Sequence, residues 1–330
     1  MMSKSITSLL LYSCGASLGV LLFHILFLEL RTEYASETHD GTMHHFLYHQ
    51  LLNITKEANR TLAEDLSHRV RILCWVMTAP QNLETKAKYV KLTWGKRCNI
   101  LLFMSSENNT EFPAIGMNTG EGRKQLYKKT MLAFQYVHAH YLDQADWFFK
   151  ADDDTYVIVE NLRLLLSKYD PQQPVYLGKR FRMYMKHGYM SGGAGYVLSK
   201  KALQMYVAAM RNNRCNHTTS TEDVALGKCM DKLGIIPGDS RDIYKQETFF
   251  PFYPDHHLMP GFLQKTSWFW RFNYYKNVNG PKCCSDLAIS FHYMNSTYMY
   301  MMEFYTYHLR AVGYQYQKET DFPVPAATHN

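Results

Sequence analysis

The chain has 330 residues, of which 20% are charged and 46% hydrophobic, and its formal net charge is +7. This composition is that of a globular protein and excludes a mainly disordered chain, and the length allows one large α/β domain or two small ones. The positive charge is not concentrated in a long run of Lys and Arg, and no nucleic-acid-binding module is recognisable. We therefore expect no nucleic-acid partner, whereas a small anionic substrate suits the charge.

The amino terminus has the pattern of a membrane anchor. Residues 6–28 carry no formal charge and are long enough to span a bilayer, and no clear small-residue cleavage site of a signal peptide is present. We expect residues 1–5 to form a cytoplasmic tail and residues 6–28 a transmembrane signal-anchor helix. Lys4 alone gives only weak evidence for this orientation, so the luminal side is inferred from other features.

Glycosylation sequons and cysteines favour a luminal location for the rest of the chain. Acceptor sites for N-glycosylation begin at Asn53, Asn59, Asn108, Asn216 and Asn295. Of the seven cysteines, Cys14 lies in the membrane segment, and the six others can form three disulfides in an oxidising lumen. Six cysteines allow fifteen pairings, and the residues alone do not choose among them.

The luminal part divides by composition into three segments. Residues 29–69 are polar and predict a solvated stem, part of which has helical spacing of its apolar residues. Residues 70–317 contain the apolar runs of a folded domain, and residues 318–330 predict a flexible tail. We therefore expect one folded luminal domain on a stem.

Hydrophobic periodicity predicts alternating strands and helices in this domain. A β-rich run at 70–78 precedes a helix over 83–94, with Lys86 facing outward, and a second strand at 100–104. Strand, helix and strand at this spacing predict a βαβ unit and a parallel sheet. Later segments predict helices over 121–142 and 159–169, strands at 175–178 and 287–293, and a helix from 200 with Ser199 as its cap.

Three consecutive aspartates, Asp152, Asp153 and Asp154, follow a short apolar run that predicts a strand. Because their like charges repel, a cation is expected to hold them together. Hard divalent ions prefer carboxylate and phosphate oxygens, and ligands of open α/β sheets lie beyond the carboxyl ends of the strands. The triplet therefore predicts a site for a metal and a nucleotide phosphate. The alternative is an acidic loop that caps the next helix.

Other segments carry candidate functional groups with structural alternatives. The glycines at 192, 193 and 195 permit a close approach of backbone to a ligand, or form a tight turn. Asp223 suits a general base, although Glu222 and Asp223 can also stabilise a helix dipole.

Arg123 and Lys129 face a phosphate if their helix starts at the carboxyl edge of the sheet, and are otherwise surface charges. The aromatic segment 268–275 suits sugar stacking or core packing. His292 is a candidate nitrogen ligand.

Taken together, these motifs resemble a known family. Segments 71–78, 150–157, 188–199, 222–227, 238–242 and 283–286 closely resemble the core 1 β1,3-galactosyltransferases of glycosyltransferase family 31. The resemblance extends over nearly all of the chain from Val70 to about Gln317. It implies an α/β fold of the GT-A type, a Rossmann-like mixed sheet flanked by helices, in a Golgi membrane protein of type II.

The resemblance also implies an activity. A member of this family transfers galactose from UDP-galactose to N-acetylgalactosamine on Ser or Thr of glycoproteins, forming a β1,3 bond with inversion and with Mn²⁺ as cofactor. UDP-galactose and glycoproteins that carry N-acetylgalactosamine are therefore the expected substrates. A homodimer and a dedicated chaperone are further partners that the resemblance suggests.

Functional residues follow from the matched positions. Asp152, Asp154 and His292 are the implied metal and diphosphate ligands, and Asp223 is the implied catalytic base. The implied lining of the UDP site consists of Met77, Asn82, Glu121, Gly122, Arg123 and Lys129, together with Asp152. Trp268 or Trp270, with Tyr314, is expected to contact the acceptor sugar. The implied disulfides are Cys74–Cys98, Cys215–Cys229 and Cys283–Cys284.

Three other functions fit parts of the pattern. A non-catalytic relative that acts as a luminal chaperone lacks the acidic triplet. A related β1,3-glycosyltransferase uses another donor or acceptor. A sugar-binding membrane protein of the lectin type needs the aromatic segment but no metal site. The intact triplet, together with Asp223, favours an enzyme.

Overall fold

The computed structural model of the protein describes residues 61–215, 221–276 and 278–313. The chain divides into two units, Met1–Ala58 and Asn59–Asn330, and every described residue belongs to the second. The predicted cytoplasmic tail, membrane anchor and flexible tail, and most of the stem, lie outside the described residues. Within the three described ranges, no helix is both long enough and apolar enough to cross a membrane.

The described segments alternate between strands and helices. The strands are β1 (Ile72–Met77), β2 (Ile100–Ser105), β3 (Ala114–Gly116), β4 (Trp147–Asp152), β5 (Tyr156–Val157), β6 (Tyr176–Gly178), β7 (Arg180–Phe181), β8 (Tyr189–Met190), β9 (Tyr196–Ser199), β10 (Phe249–Phe250) and β11 (Ser290–Phe291). The helices are α1 (Thr61–Arg69), α2 (Lys88–Leu92), α3 (Leu126–Tyr141), α4 (Val159–Leu166), α5 (Lys200–Arg211), α6 (Glu222–Lys232), α7 (Pro254–Leu258), α8 (Trp268–Phe272) and α9 (Ser296–Tyr307). Three short 3₁₀ turns span Pro80–Asn82, Trp94–Arg97 and Arg123–Gln125, and Leu83–Ala87 is π-helical.

Six strands form the central sheet in the order β3-β2-β1-β4-β9-β6. The neighbours β3, β2, β1 and β4 run parallel, whereas β9 is antiparallel to both β4 and β6. A three-stranded sheet pairs β11 with β10 in parallel and with β5 in antiparallel orientation. The prediction of a mixed α/β domain with a parallel βαβ unit is confirmed.

Helices cover both faces of the central sheet. The side chains of β1 alternate between two cores: Ile72 and Val76 pack in the core that includes Leu162 of α4, and Trp75 packs in the core that includes Phe134 of α3. Because both faces are covered, β1 is apolar at every position, as expected for a central parallel strand. The sheet therefore holds its strand ends in fixed positions between two helical layers.

Several element boundaries differ from the prediction. The helix predicted over 83–94 begins with the π-helical turn Leu83–Ala87, and α2 itself has only five residues. The strand predicted over 287–293 is reduced to Ser290–Phe291. Ser199 caps α5 as predicted, since its hydroxyl accepts a hydrogen bond from the backbone N–H of Ala202. Periodicity identified the type of these three elements, whereas hydrogen-bond geometry decided their lengths.

The three disulfides have the pairing that the resemblance implied. Cys74–Cys98 links β1 to the segment before β2, and Cys215–Cys229 links the segment after α5 to α6. Cys283 is joined to its neighbour Cys284. The pairing implied by the resemblance is therefore confirmed.

A buried ion pair fixes α9 to the rest of the domain. The carboxylate of Glu303 accepts hydrogen bonds from Arg97 at 2.7 and 3.0 Å and from the hydroxyl of Tyr156 at 3.1 Å. The side chains of Arg97 and Glu303 are only 16% and 7% exposed. Tyr156 lies on β5, next to the acidic turn, so this network also supports the strand that precedes α4.

We expect Glu303→Ala to lower the free energy of unfolding by about 3 kcal/mol, because the mutation removes both hydrogen bonds between the buried guanidinium of Arg97 and Glu303 and leaves Glu160, at 3.6 Å, as the remaining carboxylate. Urea denaturation measures the difference. Glu84→Ala serves as the control, because it removes an exposed ion pair with Lys88. We expect this mutation to change the free energy of unfolding by close to zero. Equal effects of the two mutations would contradict a stabilising role of the Glu303 network.

Candidate active site

The acidic triplet lies at the carboxyl edge of the parallel strands. Met77 at the end of β1 is opposite Asp152 at the end of β4, and the backbone N–H of Asp153 donates to the carbonyl of Met77. The chain then turns away from the sheet through Asp153 and Asp154. This edge is where ligands of open α/β sheets bind.

The short strand β11 brings His292 to the acidic turn. Phe291 is opposite Tyr156 of β5, and the N–H of Met294 donates to the carbonyl of Asp154 at 2.8 Å. The Nε2 atom of His292 therefore lies 3.1 Å from Oδ1 of Asp154 and 3.7 Å from Oδ2 of Asp152. The candidate ligand atoms of these three residues all lie within 4.8 Å of one another. Two carboxylates and one imidazole form a donor set suited to a divalent cation such as Mn²⁺.

Asp153 points away from this group and into the protein. It is 6% exposed, and its Oδ2 atom accepts hydrogen bonds from the hydroxyl of Thr78 at 2.8 Å and from the side-chain amide of Asn82 at 2.9 Å. Burial raises the pKa of Asp153 to about 6, against the effect of these two bonds. Asp153 therefore stabilises the turn, and Asn82, which the resemblance placed at the UDP site, contacts this carboxylate.

Lys86 faces the acidic turn, so the prediction that it faces outward was wrong. Its ammonium lies 3.0 Å from Oδ2 of Asp154 and 3.8 Å from Oδ1 of Asp153. Burial raises the pKa of Asp154, but His292 and Lys86 outweigh burial and lower this pKa to about 2. The Lys86 side chain is 41% exposed, so its ammonium contacts Asp154 at the edge of the site and stays in contact with solvent.

Two glycines allow close contacts at this edge. A Cβ atom on Gly193 would lie 2.3 Å from ring atoms of His292, and a Cβ atom on Gly192 would lie 2.6 Å from Oε2 of Glu222. The close approach of the backbone that the glycines predicted therefore exists in the structure, and it is an approach to the protein's own side chains. Only glycine leaves room for the imidazole next to this turn.

Asp223 lies at the start of α6, beside the same turn. Its Oδ2 atom accepts a hydrogen bond from the backbone N–H of Gly192 at 3.0 Å, and its Oδ1 atom accepts one from the N–H of Val224 at 2.8 Å. Burial raises the pKa of Asp223 against the effect of these bonds. A carboxylate held in this way, with a raised pKa, suits a general base.

Glu222, next to it, points into the core. It is 7% exposed, and its Oε1 atom accepts hydrogen bonds from the hydroxyls of Tyr196 at 2.5 Å and Thr130 at 3.3 Å. Burial raises the pKa of Glu222 to about 7. The two adjacent carboxylates therefore have different environments, and Asp223 is the one held at the turn beside the metal-binding group.

Two residues of the expected lining of the UDP site form an ion pair between a buried lysine and an exposed glutamate. The ammonium of Lys129 is 2.8 and 3.0 Å from the carboxylate oxygens of Glu121 and donates to the carbonyl of Thr78 at 3.0 Å. Gly122 has a positive φ of 93°, and Arg123 is exposed at the start of its 3₁₀ turn. The structure thus pairs Lys129 with Glu121 next to the end of β1, whereas Arg123 is exposed.

The predicted aromatic segment forms α8. Trp268 is 45% exposed and packs at 5.7 Å from the ring of Phe252, whose carbonyl accepts the N–H of His292 at 3.4 Å. The indole N–H of Trp270 instead donates to the carbonyl of Gln264 at 2.8 Å. Trp268 is therefore the tryptophan of this segment that presents a large exposed ring. Tyr314 lies outside the described residues.

Sequence reasoning assigned no role to Lys150, which is 1% exposed on β4. Its ammonium lies 2.5 Å from Oδ1 of Asp152 and 3.1 Å from the carbonyl oxygen of Gly192. A signal was present in the sequence, because a lysine in an otherwise apolar strand is unexpected unless its charge is paired. Periodicity does not identify the partner.

The sequence is similar to those of known proteins. Residues 68–250 match the family model described as Fringe-like. Over 260 residues the chain is 58% identical to glycoprotein-N-acetylgalactosamine 3-beta-galactosyltransferase 1 of Xenopus laevis, which covers 78% of this chain and 72% of that protein. It is 29% identical over 149 residues to beta-1,3-glucosyltransferase of Mus musculus, covering 44% of this chain and 30% of that protein.

A solved structure is also similar, at a much greater distance. The galactosyltransferase LgtC in complex with donor and acceptor sugar analogs is 11% identical, with a TM-score of 0.36, and the match covers 67% of this chain and 86% of that chain. A likeness at this level supports no conclusion about this chain.

We expect Gly193→Ala to weaken the binding of Mn²⁺ roughly 10- to 100-fold, the usual effect of disturbing the surroundings of a metal ligand. The added methyl group collides with the His292 ring and moves it away from Asp154. Isothermal titration calorimetry with Mn²⁺ measures the effect, and circular dichroism checks that the variant is folded. Unchanged affinity in a folded variant would exclude His292 as a ligand.

Proposed function

Since the chain belongs to the Fringe-like family, we propose that it is an inverting galactosyltransferase. Its donor is UDP-galactose, and its acceptor is the 3-hydroxyl of N-acetylgalactosamine linked to Ser or Thr of glycoproteins. The observation that carries this proposal is the 58% identity to a 3-beta-galactosyltransferase over most of both chains. The group of Asp152, Asp154 and His292 beside Asp223 supplies the chemistry that such a reaction needs.

Asp152, Asp154 and His292 are the residues that would hold the cofactor, Mn²⁺. Their two carboxylates and one imidazole fit this ion, and three protein ligands leave coordination positions for diphosphate oxygens. When bound, the ion neutralises negative charge on the leaving UDP. Met77, Gly122 and Arg123, together with the Glu121–Lys129 pair, are proposed to line the UDP site.

Asp223 is the proposed general base. It accepts the proton of the acceptor 3-hydroxyl while the oxygen forms a bond to the anomeric carbon of galactose. The bond from that carbon to UDP breaks, and its electron pair leaves with UDP. Attack from the face opposite UDP converts an α-linked donor into a β-linked product. Trp268, with its exposed ring, is the proposed platform for the acceptor sugar, and Trp270 and Tyr314 are further proposed contacts.

A luminal Golgi location is part of the proposal. Three disulfides within the described residues are typical of an oxidising compartment, and the acceptor sites at Asn108 and Asn295 lie in the same domain. Residues 70–317 are accordingly proposed as the catalytic domain, of GT-A type, carried by the type II anchor predicted at 6–28. The homodimer and the dedicated chaperone stay predictions from the resemblance.

Metal dependence and substrate are tested in one assay. We expect galactose transfer from UDP-galactose to a peptide that carries N-acetylgalactosamine, loss of transfer with EDTA, and recovery with Mn²⁺, because the carboxylates and the imidazole bind the ion. Mass spectrometry of the peptide measures the product. Transfer only from UDP-glucose or UDP-N-acetylglucosamine would indicate a different transferase. Sugar binding without any product would favour the lectin or chaperone function.

We expect Asp223→Asn to reduce kcat by a hundredfold or more, because the amide cannot accept the proton, while UDP binding stays nearly unchanged. Steady-state kinetics and calorimetry with UDP separate the two effects. Asp231→Asn is the matched control on the same helix: Asp231 is exposed and pairs with His187 at 3.1 Å. Normal turnover by Asp223→Asn would remove Asp223 from the role of base.

A further inference from the structure

Lys150 is a buried lysine that lies between the acidic groups of the candidate active site. Its side chain is 2% exposed and its ammonium is 2.5 Å from Oδ1 of Asp152 and 3.9 Å from Oε2 of Glu222. It also donates to the carbonyl of Gly192 at 3.1 Å. A buried ammonium is costly unless it is paired and hydrogen-bonded, so these acceptors fix its position.

These contacts connect the two halves of the site. Gly192 accepts from Lys150 through its carbonyl and donates through its N–H to Oδ2 of Asp223. A continuous path therefore runs from Asp152 through Lys150 and Gly192 to Asp223. A second contact runs beside it, because the hydroxyl of Thr155 donates to the carbonyl of Gly193 at 2.8 Å.

The backbone of Gly192 is closely packed against its neighbours. A Cβ atom on Gly192 would lie 2.6 Å from Oε2 of Glu222, 3.4 Å from Cβ of Asp223 and 3.6 Å from the ammonium of Lys150. The Gly192 backbone is thus packed between the acidic helix terminus and β4. Lys150 and Asp223 therefore bind the same peptide backbone, one at the carbonyl and the other at the N–H of Gly192.

We propose that Lys150 is a positioning residue that sets the distance between the carboxylates at the metal-binding group and the carboxylate of Asp223. This inference rests on the proposed function, in which both groups act on one donor–acceptor pair. Displacement of a catalytic group by about 1 Å reduces a reaction rate roughly a hundredfold. Lys150 does not contact the reacting atoms and acts only through Asp152 and Gly192.

A second buried lysine provides a matched control. Lys179 has a side chain that is also 2% exposed, and its ammonium lies 2.6 Å from Oε1 of Glu247. Within the described residues, its ammonium contacts Glu247 and the ring of Phe269, away from the acidic triplet and Asp223. Lys150→Met and Lys179→Met therefore remove the same group from comparable burial, and only the first removes the connection between Asp152 and Gly192.

The experiment compares the two variants by kinetics and by hydrogen exchange. For Lys150→Met we expect kcat to fall about a hundredfold, with UDP affinity and donor KM within about threefold. Deuterium uptake of the 190–195 segment, followed by mass spectrometry, is expected to rise tenfold or more, because the carbonyl of Gly192 loses its hydrogen bond from Lys150 and keeps only the one from the N–H of Gly195. Lys179→Met is expected to lower the thermal midpoint while kcat and uptake at 190–195 stay within about threefold of the wild type.

Two results would contradict the proposed role of Lys150. An equal loss of kcat in both lysine variants, or unchanged uptake at 190–195 in Lys150→Met, would overturn it. Lys150→Gln keeps an N–H donor in a smaller side chain, and it replaces Lys150→Met if that variant does not fold. If the wild type transfers no galactose, the proposed function fails, while the exchange measurement still decides whether Lys150 holds the Gly192 backbone.

Discussion

Three carboxylates, those of Asp152, Asp154 and Asp223, face the carboxyl edge of the central sheet, and their mutual repulsion is reduced by cationic and imidazole groups at fixed positions. Lys150 contacts Asp152, while Lys86 and His292 contact Asp154. These cationic and imidazole groups come from β4, from the π-helical turn and from the segment after β11. Because they come from distant parts of the chain, the acidic edge forms only when the sheet, the turn and β11 are in place together.

The two acidic motifs are organised in the same way. In each, one carboxylate is turned into the protein and its neighbour faces the site: Asp153 binds Thr78 and Glu222 binds Tyr196. The buried member supports the backbone, and the other member keeps its oxygens for a ligand or a proton. Adjacent aspartates therefore differ in pKa: burial raises the pKa of Asp153, whereas His292 and Lys86 outweigh burial and lower the pKa of Asp154.

Glycine at 192 and 193 is what allows these motifs to meet. The backbone there passes so close to His292 and Glu222 that any side chain would collide with them. A candidate metal-binding group on one side and a carboxylate on the other suit the proposed inverting sugar transfer. The relationship to a 3-beta-galactosyltransferase and this geometry therefore support the same function independently.

The sequence by itself determined the class of the domain, the strand that ends at Asp152 and the acidic motifs, because apolar periodicity and charge clustering are local properties of the chain. The resemblance placed His292 with Asp152 and Asp154 and gave the disulfide pairing, which no local pattern specifies. Only the tertiary structure decided that Lys86 turns inward and that Lys150 joins Asp152 to Gly192. Such contacts depend on strand register and on the hydrogen bonding of a single helical turn, which residues far apart in the chain determine jointly.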